Sequence, residues 1–160
     1  MKKPVACVGS LNDPGQMEEI IASARQILWK SAAPFLADPY LPKKALEGNE
    51  EDITPCLRCY ECFGETGKSE TVKCTVNPTM GQQLACKFPL PRPGKKKRVL
   101  VAGGGLREWS SNSAAGRGHM VTLVEKAGRL GGNLHPAAAP FFKKDIEKLC
   151  HVLESRVKAA

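Results

Sequence analysis

Four of the seven cysteines in this 160-residue chain fall inside one short stretch, "CLRCYECFGETGKSETVKC", at 56–74. Their spacing is Cys56-x2-Cys59-x2-Cys62-x11-Cys74. A C-x2-C turn brings two thiolates to one centre, and a third cysteine three residues later stays on the same side. The fourth returns from across a segment rich in Gly, Ser and Thr, which reads as a loop. Four thiolates suit a tetrahedral zinc or an iron–sulfur cubane. Structural zinc sites usually use two separated C-x2-C knuckles, whereas a three-cysteine ladder with a remote fourth ligand is an iron–sulfur spacing. The iron–sulfur reading therefore leads, with zinc second and unliganded thiols third. Cys7, Cys86 and Cys150 lack such spacing and are expected to be buried structural thiols. An odd, clustered cysteine count argues against a disulfide framework and for a reducing, cytoplasmic setting.

The segments before the ladder read as strand and helix. "PVACVG" at 4–9 is a short apolar run closed by glycine, as in a buried strand. In "PGQMEEIIASARQILWK", Met17, Ile20, Ile21, Ala24, Ile27 and Leu28 recur at helical spacing, which predicts one amphipathic helix through to Lys30. "LADPYLPKKALEGN" predicts a short surface helix, with Asp38 as N-cap, Pro39 at the first helical position and Gly48 as the stop. "KFPLPRPGKKK" at 87–97, with its prolines and lysines, reads as an interdomain linker.

Beyond the linker the pattern changes. "RVLVAGGG" predicts a strand running into a glycine turn, and "HMVTLVEK" predicts a second strand ending at Glu125. Gly103 and Gly105 fill the first two positions of a G-x-G-x-x-G dinucleotide fingerprint; the third position is Glu108. In such a fingerprint Gly103 permits the tight turn and Gly105 lets a pyrophosphate approach the backbone and a helix N-terminus. Glu125 lies twenty residues after Gly105, the offset of an acidic residue for ribose hydroxyls. "GRLGG" follows, with Gly131 and Gly132 near the expected cofactor. "PFFKKDIEKLCHVLESRVKAA" predicts a closing helix with Phe142, Ile146, Leu149, Val152, Leu153 and Val157 on one face. Three histidines carry no motif: His119 and His151 read as loop and helix residues, and His135, after "GGNL", either lies near the expected cofactor or has a surface role.

The formal net charge of +8 favours anionic ligands. "KKKR" at 95–98 lacks an aromatic platform and reads as a solvated linker, so no nucleic-acid partner is expected. No run reaches about eighteen apolar residues, which excludes a transmembrane helix. "MKKPVACVGSLNDPG" is too short in its apolar part for a signal peptide.

The order "FLADPYLPKKALEG", "PCLRCYECF", "KCTVNP", "KKKRVLVAGGG", "VTLVEK", "GRLGGNL" resembles one family: the iron–sulfur flavoenzymes related to old yellow enzyme. These NADH:flavin oxidoreductases include 2,4-dienoyl-CoA reductase, enoate and bile-acid dienoate reductases, and trimethylamine dehydrogenase. The resemblance runs over nearly the whole chain and implies an α/β fold in pieces. Residues 1–50 resemble the end of an FMN-binding TIM barrel and 51–90 its 4Fe-4S cluster segment. Residues 91–97 would be a linker, and 98–160 the opening βαβ of a Rossmann-like FAD domain. It implies Cys56, Cys59, Cys62 and Cys74 as cluster ligands. It also implies Gly103, Gly105, Glu125, Gly131 and Gly132 at FAD, and Gly9 at the FMN phosphate. In the family NAD(P)H reduces FAD, the cluster relays electrons to FMN, and FMN reduces an activated C=C bond of an unsaturated acyl substrate. No catalytic residue of the barrel lies in this chain, which reads as an internal piece, inactive alone. The alternative from another class is a non-catalytic zinc or iron–sulfur module.

Two stretches depart from the family pattern. "ARQILWKSAAPF" stands where the family has a glycine, an eighth barrel strand and Gly-Arg-Pro. "GLREWSSNSAAGRG" stands where it has Gly-Pro-Ala-Gly-Met. Dropping one base from CCT GCG GGA ATG G gives CTG CGG GAA TGG, which encodes the Leu-Arg-Glu-Trp of residues 106–109. One base lost from codons for Gly-Lys-Ala-Asp-Ile-Val likewise gives the Ala-Arg-Gln-Ile-Leu-Trp of residues 24–29. Compensated frameshifts, from sequencing error or gene decay, account for both. The expected consequences are an eighth strand merged into the helix before it, Ala33 in place of a phosphate-binding arginine, and Trp109 beside a loop lacking its third glycine.

Overall fold

The computed structural model describes residues 5–23, 28–66, 72–81, 93–105 and 108–159, with backbone alone at 28–29, 65–66 and 108–110. The expected linker falls largely outside these residues, as do Cys86, residues 24–27 and residues 67–71. The chain forms two compact units, residues 1–81 and 82–160. Each contains one parallel strand pair joined through a helix, so each is a small βαβ crossover.

In the first unit β1 (Ala6–Val8) pairs with β2 (Leu28–Lys30), in the register Ala6↔Leu28, Cys7↔Trp29, Val8↔Lys30. Between them runs α1 (Pro14–Ala22), capped by Asp13, whose carboxylate accepts the Gln16 N–H at 3.2 Å. The expected helix through Lys30 is thus corrected. It stops at Ala22 and the chain re-enters the sheet, because strand pairing overrides a helical apolar period. The stretch expected to have merged with the helix therefore still forms a strand. β1 is not the buried strand its apolar run suggested: Val8 is 77 % exposed and Cys7 is half-buried.

α2 (Ala33–Ala37) and α3 (Leu41–Leu46) follow, then a 3₁₀ turn at Glu50–Asp52. Asp38 does not cap α3, whose N-cap is Tyr40. It closes α2 instead, buried, and its carboxylate accepts the N–H groups of Tyr40 and Thr54, each at 3.0 Å, and the Lys44 ammonium at 2.8 Å. Lys44 also donates to the Asp52 carbonyl at 2.7 Å. Gly48 ends the helix as expected, with φ of 72°. Leu11, Met17, Ala37, Leu41, Ile53 and Val76 form the core of this unit. The cysteine stretch is not all loop, since α4 covers Glu61–Thr66.

In the second unit β3 (Arg98–Ala102) pairs with β4 (Met120–Val124), through α5 (Glu108–Gly116). Both strands lie where the sequence placed them. α6 (Leu134–Ala138) and α7 (Lys144–Ala159) complete it, with Val101, Leu149, Cys150, Val152 and Leu153 as core. Phe142 is not on the buried face of α7; it lies before the helix, 65 % exposed, edge-on to Phe141. Leu100, Met120 and Val124 are exposed apolar residues of this strand pair. Among the described residues no helix is long and apolar enough to cross a membrane.

Candidate metal centre and glycine loop

Cys56, Cys59, Cys62 and Cys74 all line one cavity of about 240 Å³ in the first unit. Loop 9–12, the start of α2 and the turn after Cys74 supply the rest of its wall, including Gly9, Ser10, Ala33, Pro34 and Thr75. The four cysteines of the ladder thus share the wall of a single cavity. Cys56, Cys62 and Cys74 are half-buried; Cys59 is exposed, its sulfur 3.2 Å from the Thr75 hydroxyl.

The backbone bends tightly to achieve this. Arg58 and Tyr60, on either side of Cys59, have φ of 53° and 60°. Neither is glycine, so each carries strain of roughly 1–2 kcal/mol. Residues in this conformation next to ordinary ones form nests of N–H groups that suit anionic centres, iron–sulfur sites among them. The Arg58 N–H donates to the Cys56 sulfur at 3.5 Å, and the N–H groups of Val76 and Asn77 hydrogen-bond the Cys74 sulfur.

Two asparagines that the motif reading passed over fix the two ends of the thiol set. Asn12 donates from Nδ2 to the Cys56 carbonyl at 2.9 Å, across 44 residues of sequence. Asn77, buried, donates from Nδ2 to the Leu36 carbonyl at 2.8 Å, while its Oδ1 accepts the Thr79 N–H at 3.1 Å and hydroxyl at 2.7 Å. The signal available in sequence was the Asn-Pro after Cys74, a pair that favours turns.

Burial pushes the Cys56 and Cys74 thiols above the ordinary value of 9.0; the N–H groups at their sulfurs act the other way, and the neighbouring cysteines add to the rise. Both are therefore protonated at neutral pH, and a metal binding there must expel protons. Among the described residues no group of three or more His, Cys, Asp or Glu is arranged to hold a single metal ion. A lone zinc would draw its sulfurs to about 3.8 Å from one another. A 4Fe-4S group would instead take one thiolate at each of its four irons.

The glycine loop of the second unit is also assembled. Gly103 has φ of 93° and its N–H reaches the Val124 carbonyl at 2.8 Å, tying the loop to the end of β4. A Cβ at Gly105 would meet nothing, so its approach side is open. A Cβ at Gly104 would press on the tip of the Leu130 side chain, which would have to move, and one at Gly131, where φ is 102°, would press on His135. The fingerprint had not singled Gly104 out. Gly131 donates its N–H to the Gly104 carbonyl at 2.5 Å, and Gly132 faces the Gly105 backbone closely enough that a Cβ would lie 3.4 Å from its Cα. Glu125 reaches the loop directly: Oε2 accepts the Gly104 N–H at 2.6 Å and Oε1 the Ala127 N–H at 2.7 Å. These bonds, that of Ala127 first, hold its carboxyl below the ordinary range. Half-buried His135 lies beside these glycines, with Nε2 2.6 Å from the Leu130 carbonyl. The side chains of Glu108 and Trp109 lie outside the description.

Comparison with known proteins places these two arrangements in one lineage. The chain is 36 % identical over 157 residues to a cinnamate reductase of Clostridium sporogenes, covering 97 % of this chain and 23 % of the relative. It is 36 % identical over 159 residues to an NADH oxidase of Thermoanaerobacter brockii, covering 98 % of this chain and 24 % of the relative. Superposed on 2-naphthoyl-CoA reductase in complex with 2-naphthoyl-CoA, it gives a TM-score of 0.91 at 32 % identity, over 99 % of this chain and 24 % of that one. The chain belongs to the iron–sulfur flavoenzymes. Histamine dehydrogenase of Rhizobium sp. 4-9 aligns similarly, with a TM-score of 0.85 at 27 % identity, over 98 % of this chain and 23 % of that one. No family model matches. The chain thus spans about a quarter of the length of these iron–sulfur flavoenzymes.

Proposed function

We propose that this chain carries the cluster segment and the opening of the FAD domain of an iron–sulfur flavoprotein oxidoreductase that uses NAD(P)H to reduce activated C=C bonds. The observation that carries the reading is the convergence of Cys56, Cys59, Cys62 and Cys74 on one cavity. The four thiolates would hold a 4Fe-4S group, whose contribution when bound is one-electron transfer. The N–H groups of Arg58, Val76 and Asn77 stabilise sulfur charge, and loop 9–12 and α2 keep part of the cavity from water. Gly103, Gly104 and Gly105 present backbone to the FAD pyrophosphate. Glu125, already fixed on the loop, is placed to accept ribose hydroxyls in exchange for the Gly104 N–H. Gly9 would face the FMN phosphate, with no arginine at Ala33 to pair with it.

Residues 1–50 then stand for the end of the FMN-binding barrel, 51–90 for the cluster segment, 91–97 for a linker and 98–160 for the start of the FAD domain. Parallel strands in α/β proteins are covered on both faces. The exposure of Val8, Leu100, Met120 and Val124 supports a setting in which further polypeptide covers them. The names cinnamate reductase and 2-naphthoyl-CoA reductase support an unsaturated acid or thioester as the substrate class, of the enoate or 2,4-dienoyl-CoA type.

Anaerobic isolation followed by elemental analysis and a visible spectrum tests this. Iron and sulfide in a coloured protein are expected, abolished by Cys74→Ser and kept in Cys150→Ala. Zinc in a colourless protein would replace the reading with a non-catalytic metal-binding module. The chain alone is expected to give no NAD(P)H-dependent turnover of an enoate or dienoyl-CoA.

A further inference from the structure

Cys74 differs from the other three cysteines in how its turn is held. Its sulfur receives two backbone N–H groups, those of Val76 and Asn77. Nothing in the ladder's spacing supplies these. They depend on the conformation of the turn at 74–79, and that conformation is fastened by one side chain.

Asn77 makes three hydrogen bonds from a buried amide. The Nδ2 bond to the Leu36 carbonyl spans 41 residues and satisfies one of the carbonyls that the end of α2 leaves without a helical partner. The two Oδ1 bonds, to the Thr79 N–H and hydroxyl, close an Asx turn over Pro78. Pro78 restricts Asn77 to extended backbone. The amide therefore ties the residue that carries one of these N–H groups, and follows the other, to α2 on one side and to Thr79 on the other.

We propose that Asn77 is a positioning residue for the iron–sulfur group, holding two N–H groups on the Cys74 sulfur and thereby raising the reduction potential of the centre. The proposal rests on the cluster reading given above. Hydrogen bonds to ligand sulfurs are among the factors that set such potentials, because they stabilise the more negative, reduced state. Asn77 itself touches neither substrate nor flavin and acts only through Cys74.

The test is anaerobic reconstitution of the whole chain with iron and sulfide, followed by a redox titration read by visible and electron paramagnetic resonance spectra. Three proteins are compared: wild type, Asn77→Ala and Thr79→Val. Asn77→Ala should make reduction about tenfold less favourable, a shift of about 59 mV to more negative potential for one electron. Thr79→Val keeps its N–H bond to Oδ1 and should shift the potential the same way by less. Unchanged potentials in both variants would overturn the proposal, even with a normal wild-type cluster. If Asn77→Ala does not fold, Thr79→Val decides: a negative shift supports the role and an unchanged potential overturns it. A wild-type chain that takes up no cluster overturns the cluster reading, and this proposal falls with it.

Discussion

The two units solve opposite problems with their polar groups. In the first, the buried polar residues Asp38, Thr54 and Asn77 all have partners, and their bonds lead into the cysteine cavity. In the second, the backbone of the glycine loop is well tied, but in α5 the half-buried Asn112 has an amide screened from solvent whose Nδ2 and Oδ1 find no partner among the described residues. Asn112 belongs to "GLREWSSNSAAGRG", one of the two stretches that depart from the family pattern. The other, "ARQILWKSAAPF", is accommodated, since Leu28–Lys30 still pairs in register with β1. A strand three residues long needs little from its sequence beyond backbone pairing. A helix that must pack against β4 and α7 needs a matching face, and "EWSSNSAAG" offers a weak one. The first stretch meets its neighbour through backbone pairing, whereas the second presents a side-chain amide without a partner among the described residues.

That contrast can be broken by mutation. Asp38→Ala has the largest expected effect. It leaves Lys44 with Asp52 as its one remaining carboxylate, and it takes the acceptor from the N–H groups of Tyr40 and Thr54, the latter two residues before Cys56. Each buried N–H orphaned in this way costs about 1–3 kcal/mol. A urea titration should show a first unit much less stable and unable to retain metal; a change within error would mean that the network does not hold the cysteine segment.

Asn112→Ala should act in the opposite direction. Relieving a buried, unsatisfied amide is worth about 1–3 kcal/mol. The second unit should unfold at higher urea, while the equivalent change in the first unit, Asn77→Ala, should destabilise. Destabilisation by Asn112→Ala would mean that its amide has a partner after all. Smaller still, Arg58→Gly should raise the stability of the metal-free first unit by about 1 kcal/mol, because glycine adopts its positive φ without strain.

The subtlest expectation is that the units respond to pH from opposite sides. Cys56 and Cys74 have raised values, so the folded state holds their protons more tightly than the unfolded chain. Their contribution to the metal-free protein is intact below 9.0 and declines as pH rises past it. Glu125 has a lowered value, so its contribution is present above the ordinary 4.5 and is lost as pH falls through its folded value. Unfolding midpoints across pH should flatten on the alkaline side in a Cys56→Ser, Cys74→Ser protein, and on the acid side in Glu125→Gln. If each variant flattened the other's limb, the assignment of pH response to units would be wrong.

Much of this was legible in the residues. The ladder at 56–74 keeps its four cysteines close in sequence and they line one cavity, and both strands of the second unit follow from apolar runs bounded by glycine and charge. What escaped were features set by contacts distant in sequence. Helix α1 ends early because the chain must pair with β1. Asp38 serves Thr54 and Lys44 rather than its own helix. Asn12 and Asn77 reach partners 44 and 41 residues away, which no local pattern encodes. Gly104 packs under the Leu130 side chain, which lies beyond β4.

The central claim is that four thiolates enclose a polynuclear centre rather than a single ion. X-ray absorption fine structure at the metal edge of the anaerobically reconstituted chain tests it most directly. The account predicts a sulfur shell near 2.3 Å accompanied by a metal–metal shell, with about four irons per chain. A sulfur shell at about 2.3 Å without metal–metal scattering, from one metal per chain, would contradict it.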